Sequence, residues 1–195
     1  QTPNDFVHVS WPGLVGVVSG MNRQGLSVAN LVVLHQRAKI APGTPVLFAM
    51  RHMLERADST EAAVALLRSL SRTGPQNYAI ADAQSAVAIE TWVERFKVRR
   101  MDKGVVAIAN GFDEPRRGPR RGRYRRMMAM ATMWSRHDSD SLVHILRDVA
   151  LASMNVQAIL FTPALQKLEI SINAQPAAKG PYTSLLIEPL FRRPK

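Results

Sequence analysis

Cysteine is absent from all 195 residues of the sequence. Its absence excludes a disulfide scaffold, a thiolate zinc site and a cysteine nucleophile within these residues. The five histidines are scattered without a metal-binding spacing, so we expect no metal site. Glycine-rich nucleotide-binding loops and the Gly-x-Ser-x-Gly turn of serine hydrolases are also missing, and we expect no cofactor.

Long apolar runs are missing as well. The longest, such as residues 14–18, extend over about half a dozen positions at most, whereas a membrane-spanning helix needs roughly 18 to 20. We therefore expect no membrane span. The first residues, from Gln1 to Asp5, contain neither a basic start nor an apolar core, so no secretory signal is visible and the compartment stays open.

Positive charge is abundant but local. The net charge is +11, and seven arginines lie between Arg116 and Arg126 with no acid among them, so subtracting those seven leaves +4. Such a run most often forms a solvated surface, although it leaves open an anion- or nucleic-acid-binding module as an alternative function. Tyr124 is the single aromatic residue within the run, which gives base stacking little support, and we do not expect a nucleic-acid partner.

Composition and periodicity indicate one mixed domain spanning residues 1–195. Hydrophobic residues make up 46% and charged residues 21%, close to the globular average. Runs of strands alternate with pairs of helices, which is typical of layered α+β sheets covered by helices and not of a doubly wound fold. The predicted strands are residues 6–9, 14–19, 26–34, 78–81, 86–92, 95–100, 105–109, 156–161, 168–172 and 185–187. The predicted helices are residues 46–54, 62–70, 124–134 and 139–151.

Local signals refine this pattern. The second and third strands are expected to form a hairpin, and residues 78–109 a four-stranded meander. Asp58 and Glu61 resemble a capping box at the start of the second helix, and Asp138 or Ser139 is expected to cap the fourth. Asp82 and Glu90, both in the meander, are expected to form salt bridges there.

Three groups of segments, taken in order, carry the functional signal. The first reads WPGLVG at residues 11–16 and SGMNRQGL at 19–26. The second reads NYAIADAQSAVAIE at 77–90 and VAIANGF at 106–112; the third reads RYRRM at 123–127, QAILFTP at 157–163 and PLF at 189–191. Together they resemble the penicillin acyltransferase-like family of N-terminal-nucleophile hydrolases, which is related to the choloylglycine hydrolases. The resemblance covers nearly the whole chain.

The resemblance implies a fold and a reaction. The fold is a four-layer αββα sandwich, here incomplete at its N-terminal strands. The reaction is hydrolysis or transfer at an amide bond through an acyl-enzyme, with a small acyl amide or acyl donor as substrate. In that family, self-cleavage of a precursor exposes an N-terminal cysteine, whose free α-amine is the base for its own thiol.

The resemblance also assigns roles to two asparagines. Asn110 matches the asparagine that donates a hydrogen bond to the oxyanion, although an Asn-Gly pair also forms ordinary turns. Asn30 falls near the place of a second such amide, out of register by a residue or two. A buried strand residue without a catalytic role is the alternative interpretation for Asn30.

Arg123 and two aromatic residues are the expected substrate contacts. Arg123 matches an arginine that orients the site or meets an acyl or carboxylate group. Arg120 stands where that family usually has a serine before this arginine, so a solvated basic helix end stays an alternative for Arg123. Trp11 and Phe112 complete the expected substrate-binding set.

No residue of the chain fits the place of the nucleophile. Gln1 has no nucleophilic side chain, and Thr2 would serve only if Gln1 were removed. We therefore expect the chain to be the C-terminal portion of a longer protein, inactive alone, with the missing N-terminal segment as its partner. Missing strands would leave exposed sheet edges, which favour self-association. A relative that has lost catalysis and kept an acyl-binding cleft is the remaining alternative.

Overall fold

The computed structural model describes residues 3–33, 39–111, 119–134 and 137–191. Within these residues the chain forms two antiparallel sheets and four α-helices. The first sheet has six strands in chain order: β1 (Phe6–Val9), β2 (Ser19–Asn22), β3 (Ser27–Val32), β4 (Gln76–Ala81), β5 (Ala86–Thr91) and β6 (Phe96–Arg100). The second has three: β7 (Ala158–Thr162), β8 (Lys167–Ser171) and β9 (Thr183–Leu186). The helices are α1 (Val46–Arg56), α2 (Thr60–Ser69), α3 (Pro119–Met133) and α4 (Ser139–Val149).

The elements stack in four layers. Helices α1 and α2 cover the outer face of the first sheet, where Met50 and Leu54 pack against Val28 and Ile80. The inner face of that sheet meets the second sheet through a smaller cluster around Met21, which includes Leu168, Ile187 and Phe191. A third cluster, around Ala158 and Ala178, joins the second sheet to α4. The predicted α+β fold with an αββα sandwich is therefore confirmed.

The β2–β3 hairpin is fixed to α1 by one buried asparagine. Asn22 Oδ1 accepts hydrogen bonds from the backbone N–H groups of Gln24 and Leu26, and so closes the turn. Asn22 Nδ2 donates to the carbonyls of Leu54 and Ala57 at the end of α1. These helix-end carbonyls have no partner within the helix, so the side chain satisfies them.

The hairpin begins later than predicted. Residues 14–18 are not a strand, and β2 starts at Ser19. The apolar residues before it pack against the first turn of α1: Val17 N donates to Leu47 O at 3.0 Å, and a Cβ on Gly16 would lie 2.6 Å from Leu47 Cβ. Gly16 also has a φ of 101°, which favours glycine. Contact with a helix, not strand pairing, therefore explains this valine-rich run.

The helix caps are partly as predicted. Asp138 caps α4 by accepting from Ser141 N at 2.9 Å, as one of the two predicted alternatives requires. At α2 the predicted capping box is wrong, because Ser59 is the cap and accepts from Ala62 N. Glu61 instead forms an ion pair with Arg100 of β6.

Among the described residues, no helix is both long enough and apolar enough to cross a membrane.

We predict that shortening Leu54 will strongly destabilise the fold. Its side chain is completely buried in the cluster between α1 and the first sheet, so Leu54→Ala should lower the free energy of unfolding by about 2–5 kcal/mol. Leu190→Ala is the matched control, since Leu190 is 66% exposed and should change it by about 0.5 kcal/mol or less. Urea unfolding measures both values, and equal losses for the two variants would contradict this core.

Candidate active site

The inner face of the first sheet changes from alanine to polar residues along its strands. Strand register places Ala29 opposite Ala79, and Ala79 opposite Ala88. Further toward the start of β4, Asn77 lies opposite Glu90 on the same face. Asn77 and Glu90 are both buried; Asn77 bonds to the loop that follows β6, and Glu90 is joined to the same loop through Arg99. A buried amide and a buried carboxylate beside small alanines are unusual in a sheet core, because each must be hydrogen-bonded.

Arg99 of β6 pairs with the buried carboxylate. Its guanidinium lies 3.2 Å from Glu90 Oε1, donates to Tyr124 Oη at 3.3 Å, and sits 5.1 Å from the centre of the Tyr124 ring. The salt bridge expected for Glu90 is therefore present. For Asp82 the structure differs from the predicted salt bridge: among the described residues its carboxylate accepts hydrogen bonds from backbone N–H groups, which include those of Thr60 and Gln84. Burial raises the pKa of Asp82, but these hydrogen bonds outweigh burial and hold the pKa below its ordinary value.

The loop that carries Asn110 is held by side chains of this inner face. Residues 105–109 were predicted as a fourth meander strand, and that prediction is wrong because their carbonyls do not pair with a neighbouring strand. The Ala107 carbonyl accepts from Arg99 at 3.0 Å. The Ala109 and Gly111 carbonyls both accept from Asn77 Nδ2, at 2.7 and 2.8 Å. Asn110 is therefore the residue between two anchored carbonyls.

The carboxamide of Asn110 is fixed at both ends. Its Nδ2 donates to the carbonyl of Val32, at the end of β3, over 3.1 Å. Its Oδ1 accepts from a terminal nitrogen of Arg123 on α3 over 3.2 Å. These two partners define which end of the carboxamide carries the donors. Among the described residues, Val32 is the one acceptor for this NH₂ group, which has a second N–H to donate.

Arg123 connects this site to the end of α4. Its Nε donates to the Val149 carbonyl at 2.8 Å, in the last turn of that helix, where backbone carbonyls lack helical partners. The side chain is half-buried, and this burial lowers the pKa of the Arg123 guanidinium from its ordinary value. The group stays charged, because an arginine does not lose its proton in proteins. Arg123 thus brings a positive charge to the Asn110 carboxamide.

Other expected residues lie around this centre or outside it. Asn30 is in β3 on the outer face with Val28; its Nδ2 donates to the Asn77 carbonyl at 3.0 Å, so the structure does not bring its amide to Asn110. Trp11 follows β1 and is 47% exposed, at the end of the sheet where Val32 lies. Phe112 falls outside the described residues.

The basic segment is only partly described. Arg116 and Arg117 fall outside the described residues. Arg126 forms an ion pair with Asp148, and this pair holds the pKa of Asp148 below its ordinary value. Arg123 points toward the site. Of the three arginines in the run whose side chains the structure describes, Arg123, Arg125 and Arg126, two are engaged within the protein, which weakens the case for a continuous anion-binding surface.

A cavity of about 510 Å³ lies between the alanine part of the inner face and the helix pair α3 and α4. Its lining is almost entirely apolar and includes Leu31, next to Val32, and Ile108, two residues before Asn110. It is also lined by three consecutive residues of β7, Ile159, Leu160 and Phe161. Consecutive strand residues point to opposite faces, so a cavity touching all three runs along the strand edge. That edge has no strand partner among the described residues.

No cluster of three or more metal-ligand side chains occurs in the described part of the chain.

Sequence reasoning missed Asn77 and the loop-holding role of Arg99. Asn77 bonds to carbonyls 32 and 34 residues further along the chain, a separation that no local pattern reveals. A polar residue within an otherwise apolar strand was the available signal. The register then shows that it faces another buried polar residue across the sheet.

Comparison with known proteins gives a consistent result. The family model for acyl-coenzyme A:6-aminopenicillanic acid acyl-transferase matches residues 1–160. A curated relative, an uncharacterized protein of Archaeoglobus fulgidus, is 28% identical over 116 residues, which are 57% of this chain and 19% of that protein. The chain therefore spans about a fifth of the length of that relative.

Solved structures share the fold. A mutant conjugated bile acid hydrolase from Clostridium perfringens superposes with a TM-score of 0.66 at 14% identity, covering 96% of this chain and 78% of that one. Penicillin V acylase from Agrobacterium tumefaciens gives 0.62 at 14% identity, with 89% and 72% covered. The Caenorhabditis elegans ortholog of N-acylethanolamine-hydrolyzing acid amidase gives 0.51 at 15% identity, with 87% and 80% covered.

We predict that replacing Arg123 with another cation will destabilise the fold. A lysine has one compact charge and cannot reach the Val149 carbonyl and the Asn110 carboxamide at once, so Arg123→Lys should lower the free energy of unfolding by about 1.5–3 kcal/mol. Arg125→Lys, on the exposed side of the same helix, is the matched control and should have little effect. Urea denaturation compares the two; a neutral Arg123→Lys would contradict the bridging role.

Proposed function

This chain belongs to the acyl-coenzyme A:6-aminopenicillanic acid acyl-transferase family, and on that premise we propose that Asn110 stabilises the oxyanion of an acyl-transfer reaction. The reaction would be hydrolysis or transfer at an amide bond through an acyl-enzyme. The observation that supports this proposal most strongly is the fixed Asn110 carboxamide, held between Val32 and Arg123 with its donor end defined.

A fixed donor suits the chemistry of acyl transfer. When a nucleophile attacks an acyl carbonyl, the carbonyl oxygen becomes negatively charged and needs donors aimed at its new position. A donor that is already oriented costs no reorganisation at that moment. Arg123 adds to this effect because it polarises the Asn110 carboxamide from its oxygen side, and its positive charge favours developing negative charge nearby.

The nucleophile would come from a segment outside these 195 residues, since the chain has no cysteine. Its α-amine, with an ordinary pKa of about 7.7 to 8.0, would take the thiol proton while sulfur attacks the acyl carbon. The same proton would pass to the leaving amine as the C–N bond breaks. Water or an acceptor amine would then attack the thioester and release the free acid or the new amide.

The edge of β7 is the proposed position of that segment. The second sheet has three described strands against six in the first, and the cavity along β7 is also lined by Ile108, two residues before Asn110. An extended apolar segment added to this edge would pair with unpaired backbone groups and fill apolar space. Its first residue would then lie within reach of the Asn110 carboxamide.

The proposed substrate is a small acyl amide or acyl donor. Arg123 has N–H groups beyond those bonded to Val149 and Asn110, and a carboxylate or acyl oxygen would match their geometry. Trp11 and Phe112 are the proposed apolar contacts. Two structural neighbours are named as hydrolases of conjugated bile acids and of N-acylethanolamines, and a third is named as a penicillin V acylase. These names support an acyl substrate for this chain.

We predict that Asn110→Ala will remove most of the turnover of the enzyme that includes its nucleophile. Loss of one oxyanion donor should lower kcat about 10²- to 10³-fold with a small change in KM, because the donor acts in the transition state. Asn173→Ala is the control, since Asn173 is an exposed amide and should leave both constants unchanged. Steady-state kinetics on an acyl amide decide; unchanged kcat in Asn110→Ala would remove Asn110 from this role.

We also predict that amides of β7 report the arrival of the nucleophile segment. In the 195-residue chain every second β7 amide should exchange quickly with solvent, because that edge lacks a partner, and should slow in the enzyme that carries the segment. The amides of β8, which lies between β7 and β9, are the internal control and should not change. Hydrogen exchange by mass spectrometry measures this, and equal β7 rates in both proteins would contradict the proposed position.

A further inference from the structure

We propose that Asn77 is a positioning residue for Asn110, an assignment that rests on the oxyanion function proposed above. Asn77 does not reach the reacting atoms. It lies on the inner face of the first sheet, completely buried, beneath the loop that presents Asn110. Its effect would be to set where the Asn110 carboxamide points.

The hydrogen bonds of Asn77 enclose Asn110 from both sides. A carboxamide nitrogen carries two N–H groups, and those of Asn77 meet the Ala109 carbonyl at 2.7 Å and the Gly111 carbonyl at 2.8 Å. The backbone on either side of Asn110 is therefore attached to one buried atom of β4. From that fixed point the Asn110 side chain reaches Val32 and Arg123.

Further side-chain hydrogen bonds hold the same loop. Arg99 donates to the Ala107 carbonyl at 3.0 Å, so the carbonyls of residues 107, 109 and 111 are all held by side chains of the inner face. Glu90 in turn holds Arg99 at 3.2 Å. Asn30, on the outer face, donates to the Asn77 backbone carbonyl and fixes β4 at this point. The loop is thus anchored at every second residue.

The two ends of the Asn77 side chain differ: its donors are used and, among the described residues, its acceptor is not. Its Oδ1 is buried and has no hydrogen-bond partner in the described part of the chain, which costs stability relative to a paired or an apolar group. A valine would fill the strand without that cost, but it would leave the two loop carbonyls without donors. The two N–H donors, which hold the loop that carries Asn110, therefore account for an asparagine at this position.

The test replaces Asn77 in the enzyme that includes its nucleophile. Asn77→Asp keeps the shape of the side chain but has no N–H to donate, so the loop should move and kcat should fall about 100-fold with KM within about twofold. Added to Asn110→Ala, it should cause no further loss, because both changes disable one unit.

Asn22→Asp is the matched control. Asn22 is also fully buried and its nitrogen also donates to two carbonyls, but at the opposite end of the hairpin from Val32. It should lower the thermal unfolding midpoint as Asn77→Asp does and leave kcat unchanged below that midpoint. Circular dichroism melts of every variant confirm that kinetics are measured on folded protein.

A spectroscopic readout is independent of turnover. Should Asn77→Asp fail to fold, Asn77→Ser keeps one uncharged donor, and the side-chain NH₂ resonances of Asn110 in the ¹⁵N-labelled chain should shift toward those of a free carboxamide. Asn22→Ser should not move them. Unshifted Asn110 resonances in Asn77→Ser, or a wild-type kcat in Asn77→Asp, would overturn the positioning role. A normal kcat in Asn110→Ala would instead overturn the proposed function. The Asn110 side-chain resonances in Asn77→Ser would then still test whether Asn77 positions Asn110.

Discussion

The hydrogen bond from Arg123 to the Asn110 carboxamide joins parts of the chain that would otherwise act separately. It connects α3 to the loop after β6, while the second bond of the same carboxamide reaches the end of β3. Because Arg123 also holds the last turn of α4, one guanidinium links the helix pair α3 and α4, through Asn110, to the end of β3 in the first sheet. The position of the proposed oxyanion donor therefore depends on how the α3–α4 helix pair packs against the first sheet.

The inner face of the first sheet supports this arrangement in two ways. Its alanines leave space between sheet and helices, which accounts for the apolar cavity beside the Asn110 loop. Its buried polar residues, Asn77, Glu90 and Arg99, hold the loop by its carbonyls. A larger side chain in the alanine rows would close the space, and an apolar one in the polar row would release the loop. On this sheet face, small residues therefore leave the cavity open, and buried polar residues hold the Asn110 loop in place.

Much of the fold follows from the sequence, because strand alternation and helical spacing are local. The layered αββα class and the β4–β6 part of the meander are confirmed, as is capping of α4 by Asp138. Two apolar runs were misassigned as strands for different reasons. Residues 14–18 pack on α1, and within residues 105–109 the Ala107 and Ala109 carbonyls accept hydrogen bonds from side chains. Apolar content shows that a segment is buried, but not which groups satisfy its backbone.

The sequence predicted the candidate site only in part. Asn110 and Arg123 were selected from a family resemblance, and the structure brings them into contact, although their roles stay proposals. Asn30 was selected by the same route, but strand alternation places its amide on the outer face. The local signal for Asn77 is only a polar residue beside an apolar run, because its partners lie more than thirty residues away in the chain. Contacts of that separation become visible only when the sheet is assembled.

The most direct test of the account is a crystal structure of the enzyme that carries the proposed nucleophile, with a tetrahedral acyl analogue bound to it. We expect the analogue oxygen that mimics the oxyanion to lie about 2.7–3.1 Å from Asn110 Nδ2, with the Val32 and Arg123 bonds to that carboxamide retained. An oxygen directed to other donors, with Asn110 turned away from the analogue, would contradict the central claim.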